Sequence, residues 1–301
     1  MLSLGTPDEE QRENFEKALE LGMRVLERKL GIASTDTVIS CFGLTVLAVR
    51  QAVAFKALVD MGLQDQSVTI MRSLYETLIN LTEVVFVNKY KGVAAELTPA
   101  EVDAERVRRG RLFVESQRAV NKRTMNALKA KALELRAAIK NKKKKKEVQA
   151  WYEPAATSME AMVAAWSSKI DAQFKSYTNA DGENKATPYW NGKGPTDGAM
   201  DSDIDLPHLY QWCCNFSHSN FYAVRVNLTR TGDGRFIQHG SCGGQFEHKL
   251  IWFATWCLIN CLHICYNALD VFSDAERAEI EELNQAFRHA PAISKSRVPE
   301  M

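Results

Sequence analysis

The apolar residues of this chain recur at intervals of three and four along almost its whole length, the period of an α-helix seen from one side. Within residues 64–89, Ile70, Leu74, Leu78, Leu81 and Val85 share one helical face, and residues 35–61 are apolar nearly throughout. Only "RFIQH", residues 235–239, alternates as a strand would. The expected fold is therefore all-α, a multi-helix bundle formed by residues 1–301 as a single helical domain.

Capping residues and breakers divide it. Thr6 as N-cap and Pro7 at the first helical position open a helix that stops at Gly31, and the second helix ends near Gly62. Further helices are expected at 157–177, 206–227, 244–271 and 273–288. Residues 98–153, rich in charge, read as a projecting basic helical arm of one or two long helices. Residues 178–205, rich in Gly, Asn, Asp and Pro, read as an irregular loop, and 289–301 as a loose tail.

The net charge of +1 conceals an uneven distribution, because from Lys122 to Lys146 eleven Lys or Arg residues stand against the single acid Glu134. A protein partner, nucleic acid or acidic lipid would most simply use that arm. Its run Lys142–Lys146 reads either as a solvated helix segment or as a phosphate-binding patch. The opening residues lack a positive segment followed by an apolar run, and the seven cysteines form no C-x-x-C pair, so a reduced, cytoplasmic protein is expected. Residues 250–272 are long enough to cross a membrane. Asn260, His263, Asn267 and Asp270 place a polar stripe along them that lipid would penalise, and no membrane span is expected. Cys257, Cys261 and Cys265 form a row that suits either buried small side chains or, with His263, a metal site; the reading expects no metal and no cofactor.

Three segments bring together groups able to do chemistry. In "MRSLYETLINL" Arg72 and Glu76 lie four apart on an otherwise apolar helix, where they either pair to lock the packing or wall a pocket. In "PYWNGKG" Trp190 precedes a glycine turn and Lys193, which suits a base laid on the indole with a phosphate at the lysine, or a loop that plugs its tryptophan into the bundle. In "LYQWCCNFSHSN" Tyr210, Cys214 and His218 share a helical stripe, with Asn220 two residues beyond. His218 is either a satisfied core residue or a group that titrates near neutrality. No G-x-S-x-G elbow, H-E-x-x-H pair or P-loop frame is present.

Taken in order, R-x-x-x-E (Arg72, Glu76), W-x-G-K (Trp190, Gly192, Lys193) and Y-x-x-x-S/C-x-x-x-H (Tyr210, Cys214, His218) resemble an uncharacterised family of bacterial all-helical proteins known as a domain of unknown function, over roughly residues 40–225. The arrangement is also similar, distantly, to the HEPN superfamily. That resemblance implies a metal-independent ribonuclease working as a homo-oligomer, in toxin and anti-phage systems. The superfamily's Arg shortly before the His is replaced here by Gln211, Trp212 and Cys213, so the resemblance requires Arg72 to supply the guanidinium. Two functional readings follow. One is RNA cleavage with His218, Arg72, Glu76 and Tyr210 as the catalytic set and Lys193, Trp190 and Asn220 holding the ligand. The other is a non-catalytic helical module that binds a nucleotide, another phosphate-bearing ligand or a protein partner through the same residues.

Overall fold

The structure, a computed structural model, describes residues 9–27, 35–85, 97–140, 146–179, 182–185, 228–230, 236–238, 247–269 and 271–289. Among them are seven α-helices: α1 (Glu9–Leu26), α2 (Asp36–Asp60), α3 (Gln64–Val85), α4 (Pro99–Lys140), α5 (Lys146–Lys175), α6 (Glu247–Ala268) and α7 (Asp274–His289). The all-α expectation holds, with one small addition. Strand β1 (Leu228–Arg230) pairs antiparallel with β2 (Phe236–Gln238), Thr229 opposite Ile237, which makes "RFIQH" half of a short hairpin. Thr6, Pro7, Gly31 and the expected helix at 206–227 lie outside the described residues.

The chain divides into two compact units, residues 1–110 with 195–301, and residues 111–194. In the larger unit α6 is central, packing against α1, α2, α3 and α7. It is apolar around most of its circumference, and Phe253, Cys257, Leu258, Cys261 and Cys265 are all buried to 1% exposure or less. Its polar residues are satisfied locally: the Asn260 and Asn267 amides donate to the carbonyls of Trp256 and His263, each at 2.8 Å, while His263 meets Glu281 of α7 at 3.5 Å. Two segments, α2 and Leu250–Ala268 of α6, are long and apolar enough by length and composition to cross a membrane, with 44% and 67% of their apolar windows buried within the chain.

Helices α2 and α3 form an antiparallel pair because the turn between them is strongly specified. Thr35 caps α2 by accepting a hydrogen bond from the Val38 N–H. At its other end Gly62 takes φ +75°, and the Gly62 and Leu63 amides return to the carbonyls of Val59 and Leu58. Reciprocal capping boxes start α4 (Thr98 with Glu101) and α7 (Ser273 with Glu276). Where α4 passes α2 the backbones approach so closely that a Cβ on Gly110 would lie 2.8 Å from Thr37 Cα.

In the smaller unit the second part of α4 runs antiparallel to α5, linked by long side chains. Lys122 pairs with Asp171 at 2.6 Å, and Arg136 bridges Glu160 at 2.6 Å and also Glu153. The sequence reading ends a helical arm at 153 and starts a separate helix at 157. Instead α5 runs unbroken through Pro154 for 30 residues. Proline removes one backbone donor and strains the preceding turn, but Arg136 grips carboxylates on both sides of Pro154 and Ala156 is fully buried. Residues 111–194 carry seventeen Lys or Arg against eight Asp or Glu, net +9, whereas the larger unit carries twenty-one against twenty-nine, net −8.

Candidate functional site

The described part of the site stands on α3. Met71, Leu74, Tyr75 and Leu78 fall on one face of that helix and are buried to 1% exposure or less. The 100° step per residue turns Arg72 and Glu76 away from that core, to side-chain exposures of 24% and 30%. Arg72 Nε donates to Glu76 Oε1 at 3.0 Å. A partly buried charge-assisted bond of this kind fixes the plane of the guanidinium, which sets where its N–H groups point. One turn on, Asn80 Nδ2 donates to the Glu76 carbonyl at 2.9 Å.

The flank of α3 beside this pair is braced by α2. Gln51 Nε2 donates to Ser73 Oγ at 2.8 Å, and Thr77 Oγ1 donates to Gln51 Oε1 at 3.0 Å. One amide thus ties two successive turns of α3 to α2 along one flank of the Arg72–Glu76 pair. Sequence reasoning missed Gln51, Ser73 and Thr77. The signal available was Gln51 as the only carboxamide on α2, a residue type that must find partners when partly buried.

Of the residues singled out from sequence, Arg72 and Glu76 are brought together. Trp190, Lys193, Tyr210, Cys214, His218 and Asn220 lie outside the described residues. The cysteine row is placed: Cys257, Cys261 and Cys265 are fully buried on α6, with Cys41 of α2 close to Cys265. Burial pushes the Cys41 thiol up to about 12, assisted by Cys265, and the Cys265 thiol up to about 11 against a lowering hydrogen bond with Thr45. Cys261 is pushed up further by the same burial. These thiols stay protonated at neutral pH and pack as small apolar side chains. Among the described residues no three His, Cys, Asp or Glu side chains group as metal ligands would.

A family model described as "Family of unknown function (DUF5677)" matches residues 38–235, about two thirds of the chain. That span holds α2 from Val38 onward, α3 to α5, the Arg72–Glu76 pair, and the segments carrying Trp190, Lys193, Tyr210 and His218. No curated protein and no solved structure matches the chain. The chain belongs to the DUF5677 family.

Proposed function

We propose that this DUF5677 member is a HEPN-like, metal-independent ribonuclease of the cytoplasm. It acts as a toxin-type effector in bacterial anti-phage defence, without a cofactor or a membrane span, and as a homo-oligomer. The observation that carries the reading is the Arg72 guanidinium, pinned by Glu76 and partly open to solvent on a helix whose other faces are packed or braced. A guanidinium held in this way is preorganised for the equatorial oxygens of a phosphorane.

In the proposed reaction the ribose 2′-oxygen attacks the adjacent phosphorus and the 5′-oxygen of the next nucleotide leaves, giving a 2′,3′-cyclic phosphate and a free 5′-hydroxyl. His218 takes the 2′-hydroxyl proton or supplies one to the leaving oxygen, with water serving at the other of the two, and Tyr210 completes the hydrogen bonding at the reacting group. Arg72 and Lys193 hold the developing charge, and Glu76 orients Arg72. Trp190 stacks a base and Asn220 binds its edge or the ribose. The test is expression in a bacterial host of the wild type and of His218→Ala, with growth and total RNA followed together. The wild type is expected to arrest growth and fragment RNA, and His218→Ala to do neither. Equal toxicity or equal harmlessness contradicts the reading.

The second reading, a non-catalytic module for a nucleotide, another phosphate-bearing ligand or a protein partner, is favoured by the segregation of charge. A unit of net +9 in a nearly neutral chain concentrates anions without any need for proton transfer. A large thermal stabilisation by a nucleotide with no turnover supports it.

A further inference from the structure

The acids of the smaller unit are already spent, and its cations are not. Each acid there whose side chain is described pairs with a cation: Glu115 with Arg118, Glu134 with Lys131, Glu153 and Glu160 with Arg136, Asp171 with Lys122, and Glu183 with Lys185. Arg111, Arg123, Lys140, Lys169 and Lys175 are exposed and have no ion-pair partner among the described residues. Two tryptophans of α5 are exposed as well, Trp151 at 80% and Trp166 at 52%, and Lys169 Nζ lies over the Trp166 ring, 5.6 Å from its centre. At 1.5 Å and 100° per residue the two indoles stand about 22 Å apart along α5 and about 60° apart around it. The Lys122–Asp171 pair sets the register of the antiparallel helices, bringing Lys140 level with Glu153, close to Trp151, and Arg123 level with Ile170, about one turn from Trp166. Each exposed ring therefore has an unpaired cation at its own height.

We propose that the smaller unit is a binding surface for single-stranded RNA, with bases stacked on Trp151 and Trp166 and phosphates held by Lys140, Arg123 and Lys169. Proteins that hold single strands combine these two elements, flat rings on which any base stacks and cations that follow the backbone. The ~22 Å between the rings spans about six nucleotides at ~3.4 Å each. Between the tryptophans, the exposed positions Ala155, Ser158, Ala161 and Ala165 carry small side chains that leave room for bases beside the rings. The same small side chains give acyl chains little to bury, which disfavours a lipid surface as the occupant. A duplex keeps the faces of its bases stacked and an acidic protein has no bases, so either would leave the two indoles idle. The surface deepens the proposed function by naming where the RNA is held, and it takes its ligand from that reading.

The test is fluorescence anisotropy of a labelled oligouridine of about 20 nucleotides, titrated with the full chain carrying His218→Ala so that the strand stays intact. In that background Trp151→Ala and Trp166→Ala are each expected to weaken binding about tenfold, and Trp151→Phe and Trp166→Phe, which keep a flat ring, to recover most of it. Leu133→Ser, at a position 72% exposed on α4, is expected to bind like the parent. Replacing Arg123, Lys140 and Lys169 together with Gln is expected to make the log–log dependence of affinity on salt shallower by about 2, three phosphate contacts at ~0.7 each. A parent that does not bind the strand at low salt overturns the proposal, as does binding that both tryptophan-to-alanine replacements leave unchanged. Loss of affinity for phosphatidylglycerol-containing vesicles, and not for RNA, on replacing the tryptophans overturns it in favour of a membrane surface. If the wild type cuts no RNA while the strand binds as described, the surface stands and the ribonuclease reading falls; if the wild type cuts RNA and the tryptophan variants bind like their parent, the surface falls alone.

Discussion

On the proposed reaction, replacing Arg72 with Ala is expected to lower the rate of RNA cleavage by about 10³-fold, the loss typical when an arginine that stabilises a phosphoryl transition state is removed. The intrahelical pair itself contributes little to folding. The Arg72–Glu76 pair spans one turn of a single helix at 24% and 30% side-chain exposure, and such pairs contribute about 1 kcal/mol or less. In a chain of this size that is a fall of at most ~4 °C in melting temperature. Arg72→Lys keeps the charge but loses the planar fork and the Nε–H that Glu76 accepts, so it recovers only a small part of the activity. Cleavage assays beside thermal melts separate this account from a packing role. If the pair merely locks α3 in place, the Arg72 variants lose stability in proportion to activity.

The largest effect on folding is expected at Gly110. A Cβ there would lie 2.8 Å from Thr37 Cα and 3.0 Å from Thr37 N, both backbone atoms that side-chain rotation cannot move aside. Gly110→Val therefore has to push α4 away from the first turn of α2, at a cost of roughly 3 kcal/mol, the upper range for overpacking. Gly43→Ala is the matching control with the opposite sign. It is also a glycine inside a helix, but its Cβ meets open space. It should stabilise the monomer by about 0.5–1 kcal/mol through lost freedom of the unfolded chain. Denaturant unfolding at low concentration reads both. Destabilisation of equal size at the two positions would contradict the close approach of α2 and α4.

The fold class was legible because helical period and capping chemistry agree over long stretches. The turn at Gly62 and the capping boxes at Thr98 and Ser273 are local devices, written in the residues that use them. The continuity of α5 was not legible. Pro154 is a valid local stop signal, and what overrides it is Arg136, distant in sequence, holding Glu153 and Glu160. The hairpin partner of "RFIQH" was equally hidden, since three residues of β1 are too few to show alternation.

Within the site, the spacing of Arg72 and Glu76 gave their pairing directly. The brace from Gln51 could not be read in the same way. Helix α2 is apolar around its circumference, so its pattern does not say which face meets α3 and which is left outside.

Whether Arg72 and His218 act on one phosphate, as proposed, is tested most directly by a double-mutant cycle of cleavage rates. With Arg72→Ala, His218→Ala and the double variant each shown to be folded, residues working as one unit give a double variant hardly slower than the worse single one. Losses that multiply, each replacement costing its full factor in the presence of the other, would show two independent contributions and contradict the shared site.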